Sequence, residues 1–360
     1  MLDEQVKNEL VKMAKEMVAP GQGILAADES TGTMTKRLDG IGVESTPENR
    51  RTYRQLLFTA PNVGEFISGV ILFDETLRQK ADDGTPFPEL LRKNNMIPGI
   101  KTDEGLKDFS STGPSPLAGE GVPSGSRGAD EGGVVEKVTK GADGLKDRYQ
   151  EYYDLGARFA KFRSVFTISD STPTDEAIKV NAIEQAKYAK TSQEFGIVPI
   201  VEPEVLMTGS HDIKKCEEVT TKVLRVVFET LKEHEVLLEG VILKPNMALP
   251  GEDAPKASPR EVAEATIRML KNSVPAEVPG IVFLSGGQSE REATENLNEM
   301  NKTKALPWEL SFSYGRALQA SVLKAWAGKA DNKKAAQKEF YKRAKLNSLA
   351  RTGEYSPEME

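Results

Sequence analysis

The chain has 360 residues, 38% hydrophobic and 29% charged, with a formal net charge of −7. That size and mixture suit a globular α/β protein folding as one domain, and the acidic balance argues against a dedicated nucleic-acid binder, whose surface would be basic. A single cysteine, Cys216, excludes an intrachain disulfide and gives no sign of secretion.

At the N-terminus, Leu2, Val6, Leu10, Met13 and Met17 recur at helical spacing, with Asp3, Glu4, Glu9 and Glu16 between them. Acidic residues inside this segment disagree with both a signal peptide and a transit peptide. No apolar stretch approaches the roughly 18 residues that span a bilayer. The expectation is a cytoplasmic protein with no membrane partner and no nucleic-acid partner.

Eight short, largely apolar runs follow: 23–30 (GILAADES), 67–75 (ISGVILFDE), 96–103 (MIPGIKTD), 158–166 (RFAKFRSVF), 196–204 (GIVPIVEPE), 239–246 (EGVILKPN), 280–287 (GIVFLSGG) and 309–316 (ELSFSYGR). Helix-patterned segments lie between them, for example 220–235 and 259–273. Strands alternating with helices indicate a parallel sheet covered on both faces. Eight is the number that closes a (β/α)₈ TIM barrel. An open doubly wound sheet is the alternative, but no GxGxxG follows the first run. One segment breaks the pattern. Residues 105–144, between the third and fourth runs, hold ten of the thirty glycines. They read as an insertion on the barrel rim, either a plain excursion or a binding loop.

Polar residues concentrate where the runs end. Asp28 closes the first, Lys101 the third and Lys244 the sixth. Lys161 and Arg163 sit two apart in the fourth, and Glu202 and Glu204 two apart in the fifth. Ser285, Gly286 and Gly287 end the seventh, and Ser313, Gly315 and Arg316 end the eighth. Side chains two apart on a strand share a face, and barrel enzymes keep their active sites at the C-terminal strand ends. Any one charged residue there is explained by polar loops. Lys161 between Ala160 and Phe162, and Lys244 after Val241, Ile242 and Leu243, are harder to dismiss, because burying an ammonium is costly. Such a lysine either pairs with a carboxylate or has its pKa lowered for chemistry. Two neighbouring lysines would depress one another and supply the neutral amine that attacks a carbonyl. The glycines of LSGG at 284–287 form a weak phosphate-loop signal.

Together these residues resemble the class I fructose-1,6-bisphosphate aldolases over about residues 3–353. The similarity rests on GILAADESTGT (23–33), ENRRTYRQLLF (48–58), GVILFDETL (69–77), GIKTD (99–103), FAKFR (159–163), GIVPIVEPE (196–204), LEGVILKPNM (238–247), FLSGGQSE (283–290) and FSYGRALQAS (312–321). The resemblance implies a TIM barrel over 1–353 with a short C-terminal tail, 354–360. It also implies a glycolytic and gluconeogenic lyase acting on sugar phosphates, a homotetramer with cytoskeletal partners, and no cofactor or metal. Carried over by residue, Lys244 forms the imine with the ketose carbonyl. Glu202 exchanges protons during dehydration, with Glu204 beside it. Lys161 and Arg163 stabilise charge and orient the substrate, and Asp28 handles the C4 hydroxyl proton. Ser285, Gly286, Gly287, Ser313, Gly315 and Arg316 hold the phosphate nearest the carbonyl, and Ser30, Thr33, Arg37 and Lys101 lie around the other.

Two departures from the family accompany the match. The family's tail ends in a tyrosine that assists proton exchange, whereas this sequence ends TGEYSPEME, where Tyr355 resembles a tyrosine upstream of that tail. The Gly-rich insertion is also longer than the family's usual loop. Transaldolase and deoxyribose-phosphate aldolase share the barrel lysine but not these long motifs, and a non-enzymatic scaffold would have lost catalytic residues that are present here. A zinc-dependent aldolase is disfavoured because His211 and His234 are the only imidazoles; both read as ordinary loop or helix residues.

Overall fold

A computed structural model describes residues 2–110 and 134–360. Eight parallel strands close a barrel, and each begins inside one of the eight runs. They are β1 (Gly23–Ala27), β2 (Ile67–Leu72), β3 (Ile97–Lys101), β6 (Phe159–Phe166), β7 (Val198–Val205), β8 (Ile242–Leu243), β9 (Gly280–Phe283) and β10 (Glu309–Tyr314). Neighbours pair in that order, and β10 returns to β1 through Ile24 opposite Ser313 and Leu25 opposite Tyr314. The open sheet is therefore excluded. The remaining strands, β4 (Leu106–Asp108) and β5 (Lys137–Thr139), pair antiparallel at the foot of the Gly-rich insertion. Residues 111–133 of that insertion lie outside the described residues.

The period of two divides every strand between two cores. Leu25, Ala27, Val70, Leu72, Ala160, Val201, Leu243, Ile281 and Phe283 face outward and pack under the surrounding helices. Ile24, Ala26, Ile71, Phe159, Val198, Ile200, Ile242 and Val282 face inward and fill the barrel. Phe159 occupies so much of that interior that its neighbours must be glycines. A Cβ on Gly99 would lie 2.3 Å from the Phe159 ring, and one on Gly69 would lie 2.9 Å from it.

The first helix, Glu4–Met17, forms as its periodicity predicts, with Asp3 accepting a hydrogen bond from the Gln5 N–H as its cap. Its buried Leu10, Ala14 and Met17 join the interior cluster. The helix thus closes the N-terminal end of the barrel and leaves the opposite end open. The other expected helices form as Ile213–Glu233 and Pro259–Ser273, the second with a Ser258/Glu261 capping box. The last long helix, Lys333–Thr352, stops at Gly353, whose φ of +77° suits glycine. Beyond it Tyr355 is buried, its hydroxyl donates to Glu360 Oε1 at 3.1 Å, and the Glu360 carboxylate clamps Arg343 at 2.6 and 2.7 Å.

Candidate active site

The inward-facing rows explain the site. Each row runs from apolar residues into polar ones as the strand leaves the core: Ile24, Ala26, Asp28; Phe159, Lys161, Arg163; Val198, Ile200, Glu202, Glu204; Ile242, Lys244. These polar ends meet in a cavity of about 990 Å³ at the C-terminal mouth of the barrel. Its wall includes Asp28, Ser30, Thr33, Arg37, Lys101, Lys161, Arg163, Glu202, Glu204, Lys244, Ser285, Gly286, Ser313, Gly315 and Arg316. Every site residue expected from the sequence is present except Gly287.

At the floor, Lys161 sits inside a cage of three carboxylates. Its Nζ lies 3.0 Å from Asp28 Oδ2, 3.1 Å from Glu202 Oε2 and 3.4 Å from Asp103 Oδ2. Glu202 turns its other oxygen to Lys244, with Oε1 3.0 Å from that Nζ. Only 3% of the Lys161 side chain and 5% of the Lys244 side chain is exposed, so these charges interact with little screening. Burial opposes the charge on Lys161, but Asp28, Glu202 and Asp103 outweigh it and hold its pKa well above the ordinary lysine value. Burial likewise opposes ionisation of Asp28, yet Lys161 and Lys244 pull its carboxyl below the usual range. The expectation that neighbouring lysines depress one another is therefore wrong for Lys161. The carboxylates around it decide the sign, and it is a fixed ammonium.

Above the floor, Arg163 pairs with Glu204. Glu29, beside Asp28, is gripped by Arg37 and by the buried Arg54, and accepts a hydrogen bond from Gln319 Nε2 at 2.9 Å. Ser30 caps the helix Thr31–Asp39, which carries Thr33 and Arg37 to the rim. Across the mouth, Gly315 precedes the helix Arg316–Trp326. Added side chains would crowd this wall: a Cβ on Gly315 would lie 3.3 Å from Ala26 O, and one on Gly286 would lie 3.0 Å from Glu204 Oε1. The Ser313 hydroxyl is buried there with no hydrogen-bond partner among the described residues. Bare backbone, two serines, an arginine and a helix N-terminus make a wall suited to an anion.

Gly287 is corrected. Its φ is +74° and a Cβ would lie 2.8 Å from Met207, so it turns the chain away from the cavity. It lines an adjacent groove with Gln288 and Ser289, and Arg316 borders both spaces. His234 caps a helix, with Nδ1 2.9 Å from Thr230 O, and His211 sits in a loop; neither lines the cavity. Tyr355 is not on its wall either. Sequence reasoning missed Asp103 and Glu29. Asp103 carried a readable signal, two residues beyond Lys101 and so on the same face. Glu29 carried none, because its role depends on arginines from elsewhere in the fold.

Residues 9–122 and 128–360 match the family described as Fructose-bisphosphate aldolase class-I. The chain is 53% identical over 350 residues to fructose-bisphosphate aldolase 5, cytosolic, of Arabidopsis thaliana, covering 97% of this chain and 92% of that one. It is 51% identical over 349 residues to the cytoplasmic isozyme 1 of Pisum sativum, with the same coverage. A solved fructose-bisphosphate aldolase from Plasmodium falciparum, in complex with TRAP and a small-molecule inhibitor, superposes with a TM-score of 0.91 at 48% identity. That match covers 99% of this chain and 97% of the other.

Proposed function

The chain belongs to the class I fructose-bisphosphate aldolases, carbon–carbon lyases that reversibly cleave fructose 1,6-bisphosphate, and on that premise we propose that Lys244 is its Schiff-base nucleophile. The observation that carries this reading is the contact between Lys244 Nζ and Glu202 Oε1 at 3.0 Å, deep in an otherwise charge-balanced floor.

The chemistry follows from the geometry. Lys244 attacks the ketose carbonyl as a neutral amine, and Glu202 is the nearest group to take its proton. Returned to the carbinolamine hydroxyl, that proton lets water leave and a protonated imine form. The imine is the electron sink. When Asp28 removes the C4 hydroxyl proton, the C3–C4 bond breaks, glyceraldehyde 3-phosphate leaves and the bonding pair is held as an enamine on Lys244. Protonation at C3 and hydrolysis then release dihydroxyacetone phosphate. Lys161, touching both Asp28 and Glu202, holds the Asp28 carboxyl below its usual range and fixes the positions of both groups. Ser285, Gly286, Ser313, Gly315 and Arg316 hold the phosphate nearest the carbonyl. Lys101, Ser30, Thr33 and Arg37 face the other phosphate, and Arg163, with Glu204, orients the chain between them. Remote phosphate binding fixes the reacting carbons.

The chain's place is in glycolysis and gluconeogenesis, in the cytosol, where the names of the plant relatives put those proteins. No described helix is long and apolar enough to cross a membrane. We assign it a homotetrameric state and cytoskeletal partners as its family suggests; TRAP binding is stated of the Plasmodium protein. Borohydride added with dihydroxyacetone phosphate tests the central assignment. Mass spectrometry is expected to find a reduced adduct on Lys244, and an adduct on another lysine would overturn it.

A further inference from the structure

Five charged side chains form one line of alternating sign across the floor of the mouth. Lys101 Nζ lies 2.6 Å from Asp103 Oδ1, Asp103 Oδ2 lies 3.4 Å from Lys161, and Lys161 lies 3.1 Å from Glu202, which reaches Lys244 at 3.0 Å. Asp103 divides its two oxygens between the rim lysine and the floor lysine, and its side chain is only 7% exposed. No step of the reaction above uses it. From this geometry we infer that Asp103 is a positioning residue that couples Lys101 to Lys161, so that an anion bound at Lys101 is felt at the reacting carbonyl.

The coupling has a direct physical route. Lys101 is folded over Asp103, donating also to its backbone carbonyl at 2.7 Å. A phosphate arriving at Lys101 competes for that ammonium and withdraws it from Oδ1. The Asp103 carboxylate is then free to close on Lys161, whose contact with it is the longest of its three. Asp103 already accepts a hydrogen bond from Lys161, whereas Glu202 Oε2, 3.1 Å away, has no hydrogen-bond partner among the described residues and is held by charge alone, the hold most easily loosened. The more Lys161 is engaged by Asp103, the less it holds Glu202, and the more freely Glu202 moves protons to and from Lys244. Binding energy from the remote phosphate would thus appear in turnover rather than in affinity alone. The same carboxylate also helps keep Lys161 cationic.

This inference rests on reading Lys101 as a partner of the distal phosphate, and the test separates the two. Turnover is measured on fructose 1,6-bisphosphate and on fructose 1-phosphate for the parent, Asp103→Asn, Asp103→Glu and Lys101→Met. The ratio of the two kcat values is taken within each preparation, so that a misfolded fraction cancels. Asp103→Asn is expected to shrink that ratio about tenfold, the scale of one charged hydrogen bond, and Asp103→Glu to restore part of it. Lys101→Met should shrink the ratio as well. If Lys101→Met shrinks it and Asp103→Asn lowers both kcat values by one factor, Asp103 is merely structural and the coupling is wrong. If Lys101→Met leaves both the ratio and the KM for the bisphosphate unchanged, the phosphate reading of Lys101 fails, and the inference with it.

Discussion

Replacing Lys161 with methionine keeps most of the side-chain volume and removes one charge from the centre of the carboxylate cage. Each of the three contacts, at 3.0, 3.1 and 3.4 Å, represents a gross attraction of roughly 5 kcal/mol at an effective dielectric of about 20. The cost of burying the ammonium offsets most of that sum. Removing one partner from a buried ionic cluster typically leaves a net loss of about 3–5 kcal/mol, which is the expected destabilisation at pH 7. The pH dependence identifies the cause. Burial opposes ionisation of Asp28 and Asp103, but Lys161 leads the charges that outweigh it and lower both pKa values. A lowered folded-state pKa contributes stability that is complete above the unfolded value of about 3.9 and is lost as pH falls through the folded value. In the variant, burial and mutual repulsion dominate and the carboxyls move the other way. Their folded forms then take up protons readily, and acidification relieves the strain. The stability gap between parent and variant is expected to narrow steadily from pH 7 to about pH 4. Urea unfolding at pH 7, 6, 5 and 4, at fixed protein concentration, measures it. A gap below about 1 kcal/mol at pH 7, or one of constant size across the series, would refute the argument that Lys161 is held by these carboxylates.

The remaining expectations concern chemistry and packing. Cleavage of fructose 1,6-bisphosphate should survive dialysis against EDTA unchanged; inhibition that zinc reverses would contradict the imine route. Glu202→Gln should lower kcat by about 10²–10⁴-fold with a much smaller change in KM, since it removes proton transfer and not phosphate binding; steady-state kinetics showing mainly a KM effect would count against the role. Gly99→Ala should destabilise the fold by about 1–3 kcal/mol, because the new methyl would stand 2.3 Å from the Phe159 ring; an unchanged melting temperature would mean that the ring is not the filling of the barrel.

Much of the site could be read from local pattern. A strand alternates faces every residue, so Lys161 with Arg163, and Glu202 with Glu204, had to point together wherever their strands lay. Eight apolar runs with polar exits were enough to suggest a barrel and to say which end gathers the polar side chains. The register between strands was not readable, and it is the register that sets Arg163 beside Glu202 and Lys101 beside Lys161. Closure brought Asp28, just past the first strand, to 3.0 Å from Lys161, in the fourth barrel strand, and so decided for carboxylate pairing over a lowered pKa at that lysine. The sequence showed that Leu10 and Met17 form one apolar helix face; only the assembled barrel showed that this face stoppers its N-terminal end. Gly287 looked equivalent to Gly286 because both follow the seventh strand, and a positive φ packed against Met207 separated them. Which face a residue takes is set by its immediate neighbours along the chain. Which charge it meets depends on segments far away in sequence, whose positions follow from packing.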